Sequence, residues 1–96
     1  MPERLESLAQ SVLSEAVRNA HKHAQPSRIA VALRRTGGAF VMDVVNDGVR
    51  RHSAPTGMGL RLVAFEALQS GGIVEYGPGD DAGTWRVKLV VPDEPA

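Results

Sequence analysis

The 96-residue sequence has no cysteine, no net charge and few aromatic residues, 4% of the chain. Without cysteine there is no disulfide, no thiolate metal site and no cysteine nucleophile, which fits a reducing cytoplasm. The 11 basic residues balance 11 acidic ones, which argues against a general nucleic-acid binder. No apolar run approaches the roughly 18 residues of a membrane span, and the charged N-terminus lacks a signal-peptide core. We therefore expect a cytoplasmic domain with no nucleic-acid partner and no direct membrane insertion.

The residues that are present suffice for one small folded domain. The apolar fraction is 43%, too high for a disordered chain, and the length provides for one core rather than two. We predict a single domain over residues 1–96, with its core within about 5–91 and flexible ends.

The hydrophobic pattern predicts the element order helix, strand, strand, helix, strand, strand. Apolar residues at three- and four-residue steps predict helices over 5–24 and 57–70. Strands are predicted over 28–35, 39–45, 73–76 and 84–91, with glycine hairpin chemistry at 36–38. Short links favour antiparallel pairing, so we expect an α+β fold: a two-layer sandwich with a mostly antiparallel sheet covered on one face by helices.

The first helix carries a polar stripe of Glu15, Asn19 and Lys22. At about 100° per residue, Asn19 lies about 40° from Glu15 and Lys22 lies about 20° on its other side. The amide suits a hard cation such as Mg²⁺, the ammonium suits phosphate, and the carboxylate can orient a nucleophile. The alternative is a solvated flank with an ordinary i,i+4 pair. His23 falls nearer the apolar face. His21 and His23 point about 160° away from each other around the helix, which argues against a histidine metal pair.

The second strand and the following turn provide another candidate. Asn46 continues the apolar face that should meet the helices, so we expect it at the rim of the core, where it can bond a ligand. Gly48 follows, where a backbone can approach a ligand closely. The alternative is that residues 46–48 are simply a turn. Asp43, on the opposite face of the strand, is expected to face solvent.

A G-x-G pattern at Gly57 and Gly59 comes immediately before the second helix. Glycines let backbone N–H groups turn toward an anion, and a helix N-terminus adds the positive end of its dipole. Alone this pattern is a weak phosphate signal. Residues 49–56 before it are expected to form a loop, either a cover for the site or a plain surface loop. Arg50, Arg51 and His52 either meet phosphates or only keep that loop soluble, and we favour solubility for each of them.

Together these patterns resemble the ATP-binding domain of sensor histidine kinases, within the GHKL ATPase superfamily. Residues 15–24, EAVRNAHKHA, resemble the N-box pattern E-x-x-x-N-x-x-K-H-A. Residues 46–48 stand where the first glycine box, D-x-G-x-G, is expected, and GMGL at 57–60 resembles the second. Residues 83–84 resemble the closing G-T. The order and spacing match over roughly 8–91, and the compact size is most similar to nitrate-sensor and DesK-type kinases.

The resemblance implies a Bergerat-type ATP-binding fold (HATPase_c) that uses ATP and Mg²⁺. It implies that Asn19 ligates Mg²⁺ and that Glu15 is the catalytic polar or general-base residue beside it. Lys22 and His23 would approach the phosphates, with Asn46 at the adenine and Thr84 behind the same ring. The nucleotide-binding residues that it implies are Asn19, Lys22, His23, Asn46, Gly48, Gly57, Met58, Gly59, Leu60 and Thr84.

The resemblance also implies partners that lie outside this sequence. In these kinases a separate helical dimerisation domain carries the phosphoacceptor histidine, and a response regulator receives the phosphate indirectly. The first helix here is already the N-box, so we expect a catalytic lobe that does not autophosphorylate alone, whether or not the whole kinase is anchored in a membrane.

Two positions depart from the family pattern. Asn46 replaces the usual adenine-binding aspartate, and a neutral hydrogen bond is about half as strong as a charge-assisted one. Arg50 replaces the second glycine of the first box. These departures keep a second hypothesis open, a degenerate lobe that acts as a protein-interaction module. A third is an anti-sigma-factor-type serine kinase of the same superfamily, against which the K-H-A ending of the N-box favours the histidine-kinase branch.

Overall fold

The computed structural model describes residues 3–49 and 58–92, which form two helices and four strands. The helices are α1, Glu3–His23, and α2, Met58–Gln69. The strands are β1, Ile29–Thr36, β2, Ala39–Asn46, β3, Ile73–Pro78, and β4, Trp85–Pro92. Each element lies within two residues of its predicted bounds. Most of the predicted loop, residues 50–56, lies outside the described residues.

The strands form one sheet in the order β1-β2-β4-β3, with every pairing antiparallel. Positive φ angles at Gly37 (59°) and Gly38 (76°) allow the tight β1–β2 hairpin. Because β2 pairs with β4, its last residue, Asn46, stands directly opposite Trp85. The predicted α+β class with an antiparallel sheet is confirmed.

The core lies between the helices and one face of the sheet. Alternate residues of β2 and β4 point toward the helices, as the period of two requires. They meet the apolar faces of α1 and α2, where Val12, Leu60 and Leu89 are at most 1% exposed. Burying side chains of this size contributes about 1.5–3 kcal/mol each. Neither helix, within the residues described, has the length and apolar character needed to cross a membrane.

Asp43 corrects one prediction, because this residue is buried rather than solvent-facing. It does lie on the sheet face away from the helices, but only 7% of it is exposed. Arg34 of β1 donates to its Oδ2 at 2.8 Å, and Arg86 of β4 donates to its Oδ1 at 2.7 Å. Long side chains on the flanking strands thus cover a carboxylate that strand alternation alone assigns to solvent.

These ion pairs predict how the stability of the domain depends on pH. Burial raises the pKa of Asp43, but the hydrogen bonds and charges of Arg86 and Arg34 outweigh it and hold the pKa below its ordinary value. A lowered folded-state pKa contributes stability that is present above the unfolded pKa of about 3.9 and is lost as pH falls through the folded value. Asp43→Asn is expected to cost about 1–3 kcal/mol at pH 7 and to flatten the acid dependence.

Urea unfolding followed by circular dichroism between pH 7 and pH 2.5 measures this effect. Asp81→Asn changes an exposed carboxylate and is the matched control, for which we expect the wild-type profile. An Asp43→Asn variant that loses as much stability with acid as the wild type would contradict the assignment.

Candidate functional site

A cleft of about 290 Å³ lies between the C-terminal half of α1 and the start of α2. We call it the α1–α2 cleft. Its lining residues are Glu15, Arg18, Asn19, Lys22, His23, Met58, Gly59 and Leu62. The polar stripe predicted from helix angles therefore faces the first turn of the second helix.

On the α1 side, burial decreases across the polar stripe. Asn19 is 6% exposed, Glu15 is half-buried and Lys22 is exposed. The guanidinium of Arg18 lies 3.6 Å from the carboxylate of Glu15, an i,i+3 pair at the cleft wall. Arg18 was not among the predicted site residues, although its spacing from Glu15 was the available signal. The cleft thus presents one carboxylate, one buried amide, one imidazole and the two cations Arg18 and Lys22.

On the α2 side, Gly59 lets the two helices meet at the site. A Cβ at this position would overlap the carboxylate of Glu15, whose Oε1 would be 2.9 Å away. Gly59 does not have a positive φ, so what the glycine provides is space for the Glu15 carboxylate rather than a special backbone conformation. The absence of a side chain at residue 59 therefore allows the Glu15 carboxylate to rest against the first turn of α2.

The first turn of α2 offers further groups to an anion. N–H groups in the first turn of a helix have no partner inside the helix and carry the positive end of its dipole. Met58 is 68% exposed at the cleft, whereas the side chain of Leu60 is 1% exposed and belongs to the core. Leu60 therefore has only its backbone to offer a ligand. The predicted site residue Gly57 lies outside the described residues.

A second, smaller cavity of about 10 Å³ lies beside Asn46. We call it the Asn46 cavity. Its lining residues are Asn19, Ala20, His23, Ala24, Asn46, Val49 and Trp85. Asn19 and His23 line both cavities, so the Asn46 cavity adjoins the α1–α2 cleft. Asn46 is 4% exposed and donates from Nδ2 to the carbonyl of Asp47 at 2.9 Å, which confirms its expected place at the rim of the core.

Trp85, the first residue of β4, was not among the predicted site residues. It is 8% exposed, and its Nε1–H has no hydrogen-bond partner in the part of the chain that the structure describes. Nothing in the sequence marks a donor as unpaired, because pairing depends on the tertiary neighbours.

Asp47 fixes the strand end that carries Asn46. Its Oδ1 accepts from the backbone N–H groups of Ser27 and Arg28 at 2.7 and 3.0 Å, and its Oδ2 accepts from the Ser27 hydroxyl at 2.5 Å. The hydrogen bond from the Ser27 side chain, followed by these backbone bonds, lowers the pKa of Asp47. Asp47 thus holds the α1–β1 link against the end of β2.

Gly48 has a structural reason for being glycine. Its φ is +73°, and a Cβ there would collide with the carbonyl of Gln25. The carbonyl of Gly48 in turn accepts from the Gln25 N–H at 3.0 Å. The close backbone approach that the sequence predicted is therefore made here to the chain itself.

Thr84 lies in the turn before β4. Its hydroxyl donates to the carbonyl of Asp81 at 2.5 Å, and it lines neither the α1–α2 cleft nor the Asn46 cavity. The neighbouring residue, Trp85, lines the Asn46 cavity instead. The expected contact between Thr84 and an adenine stays a prediction.

The donor set is suited to Mg²⁺ bound together with phosphates. Residues 3–49 and 58–92 contain no group of three or more His, Cys, Asp or Glu side chains that would hold a metal by itself. The Glu15 carboxylate and the Asn19 amide share the α1–α2 cleft. Mg²⁺ commonly takes one or two protein oxygens and completes its octahedron with phosphate oxygens and waters.

Comparisons with known proteins bear on the fold alone. No protein-family model matches the chain, and no curated protein sequence matches it. Among solved structures, the fold is similar to that of the Acinetobacter baumannii histidine kinase AdeS, with a TM-score of 0.74 and 13% sequence identity. The likeness covers 93% of this chain and 47% of that chain, so this chain spans about half the length of the AdeS structure. The chain therefore has a histidine kinase-related fold.

Proposed function

We propose that this chain is the cytoplasmic ATP-binding catalytic lobe of a sensor histidine kinase of the nitrate-sensor and DesK-like type. It would bind Mg-ATP and supply the γ-phosphate to a histidine on a separate helical dimerisation domain, for onward transfer to a response regulator. The observation that carries the proposal is the meeting of Glu15, Asn19 and Lys22 with the first turn of α2 in one cleft. The fold shared with a histidine kinase supports it.

Each polar group of the α1–α2 cleft has a role in this proposal. The Asn19 amide oxygen holds Mg²⁺, which neutralises charge on the phosphates when it is bound. Lys22 and His23 meet phosphate oxygens, and Arg18 adds a further cation at the cleft wall. Glu15 orients the attacking imidazole and accepts its proton as the histidine nitrogen bonds to the γ-phosphorus and ADP leaves. Asn46 bonds the adenine.

The outer face of α2 supports a protein partner beside this site. Its apolar residues Met58, Leu62, Phe65 and Leu68 are 60–68% exposed. Met58 and Leu62 also line the α1–α2 cleft, so the exposed apolar surface borders the proposed phosphate site. Exposed apolar patches commonly mark interaction surfaces. We propose that the helical domain packs here and thereby brings its histidine to the cleft.

Replacing Asn19 by alanine is expected to weaken the binding of Mg-ATP about tenfold, equivalent to about 1.4 kcal/mol. The reason is the loss of the proposed metal ligand, so the variant should bind ATP almost equally with Mg²⁺ and with EDTA. The wild type should prefer the Mg²⁺ complex. Isothermal titration calorimetry of both proteins, with and without Mg²⁺, measures these four affinities.

His21→Ala is the matched control, because His21 is exposed on the same helix turn and lines neither cavity. This variant should bind Mg-ATP as the wild type does. If the wild type binds no nucleotide at millimolar concentration, the proposed function is wrong.

A second candidate is a protein-interaction module that has lost phosphotransfer. Two observations favour it: Asn46 offers a neutral amide where the resembled family has a carboxylate, and the outer face of α2 is apolar and exposed. Such a module would bind a helical partner yet never label a histidine from ATP. Labelling of a histidine on that helical partner from Mg-ATP would contradict it.

A further inference from the structure

Trp85 combines three properties that point to a ligand. It is the single tryptophan of the sequence, it stands opposite Asn46 in the β2–β4 register, and it lines the Asn46 cavity. Its ring is held in place by the core, with the Tyr76 ring centroid at 6.3 Å. The indole is therefore a fixed part of the cavity wall.

The Nε1–H of Trp85 is a buried donor that remains unsatisfied among residues 3–49 and 58–92. Native proteins satisfy nearly all buried donors, because an unpaired donor has lost its bonds to water without replacement. An exception of this kind calls for a specific reason, and one such reason is a partner supplied by a ligand.

The partner group on the opposite strand is complementary. Asn46 uses Nδ2 to donate to the Asp47 carbonyl, which leaves Oδ1 as its acceptor. The two opposing residues thus contribute one neutral donor, from Trp85, and one neutral acceptor, from Asn46. A ligand edge that fits them carries an acceptor next to a donor.

We propose that Trp85 is a base-recognition residue of the nucleotide site, with its Nε1–H donating to N1 of adenine while Asn46 Oδ1 accepts from the N6 amino group. This inference rests on the proposed function, that the site binds ATP. A cavity of about 10 Å³ holds one water-sized group, so it would receive only an atom of the N1–N6 edge, and the rest of the base would lie outside it. Guanine presents the reverse order, with an acceptor at position 6 and a donor at N1, and is selected against.

The test pairs a protein change with a matched change in the nucleotide. Trp85→Phe removes the donor and keeps an aromatic ring, and 1-deaza-ATP removes the N1 acceptor. Calorimetry with Mg²⁺ is expected to give about tenfold weaker binding for wild type with 1-deaza-ATP and for Trp85→Phe with ATP. Removing both groups should cost no more than removing either one.

Fluorescence gives a second measurement that needs no substitution. Because Trp85 is the single tryptophan, its emission should change on addition of Mg-ATP and saturate with the calorimetric affinity. Two results would show that Trp85 does not contact the base: equal affinity of the wild type for ATP and 1-deaza-ATP, or no change in tryptophan emission when ATP binds. In either case the inference is wrong, and the proposed function stands. The inference is also wrong if a water molecule, rather than adenine N1, accepts the hydrogen bond from Nε1–H. ATP and 1-deaza-ATP would then bind with the same affinity. If neither nucleotide binds at all, the proposed function itself fails, and this inference with it.

Discussion

Replacing Gly48 by alanine is expected to remove about 3 kcal/mol or more of stability, a large fraction of the margin that holds a domain of this size together. Two costs add at this residue. A φ of +73° strains any L side chain, and the new Cβ would lie 2.6 Å from the carbonyl carbon of Gln25 and 3.2 Å from the nitrogen of Pro26. These are backbone atoms, which cannot rotate away as a side chain can. Urea unfolding followed by circular dichroism measures the loss.

Gly83→Ala separates the two costs. Gly83 has nearly the same φ, +76°, but a Cβ there would meet nothing within 4 Å. This control should therefore lose only the backbone strain, about 1–2 kcal/mol. Equal losses at the two glycines would show that the approach to residues 25–26 has no energetic importance.

The contact at Gly48 also matters to the proposed site. The Gln25 N–H donates to the Gly48 carbonyl, and Ala24 forms a bridge with Val49 next to it. Both contacts join the residues after α1 to the residues after β2. They therefore hold the helix that carries Asn19 and His23 against the strand that carries Asn46. Partial opening here would separate the two sides of the Asn46 cavity.

The helices and strands could be predicted from the sequence because local periodicity determines them. Steps of three and four residues identify helices, and alternation with glycine turns identifies strands, so the element bounds agreed within two residues. Asp43 shows where this reasoning stops. Alternation says which face a side chain takes, but the burial of Asp43 depends on Arg34 and Arg86 from flanking strands. Strand order and register determine which residues lie beside Asp43, and neither can be predicted from a local sequence pattern.

For the site too, local patterns could be predicted from the sequence, whereas contacts between elements could not. Helix angles alone placed Glu15, Asn19 and Lys22 on one stripe, and they do line one cleft. The overlap that a Cβ at Gly59 would make with Glu15 depends on how closely α1 and α2 pack, which no spacing along the chain encodes. The unpaired donor of Trp85 is likewise a property of its surroundings. Local patterns thus indicate which residues are candidates for the site, and tertiary packing determines which of them come into contact.

The approach of Glu15 to Gly59 leads to the prediction with the largest effect on activity. Gly59→Ala is expected to reduce phosphotransfer from ATP to histidine at least 100-fold, the typical contribution of a general base, because the new Cβ takes the place of the Glu15 carboxylate. Phosphate transfer to an acceptor domain supplied in cis or in trans measures the rate, and calorimetry measures binding of Mg-ATP, which should change less than about threefold.

Stability and activity should separate in this variant, which is what distinguishes a displaced carboxylate from a damaged fold. Gly59 lies in the first turn of α2 without a positive φ, where alanine is at least as good a helix former as glycine, so Gly59→Ala should be about as stable as the wild type. The colliding atoms belong to the flexible end of a side chain, which can move at little cost. Glu15→Gln should lose a similar amount of activity, and combining the two changes should cost no more than either, since both remove the same carboxylate. Additive losses would mean that Gly59 acts on the phosphates through the α2 N-terminus, independently of Glu15.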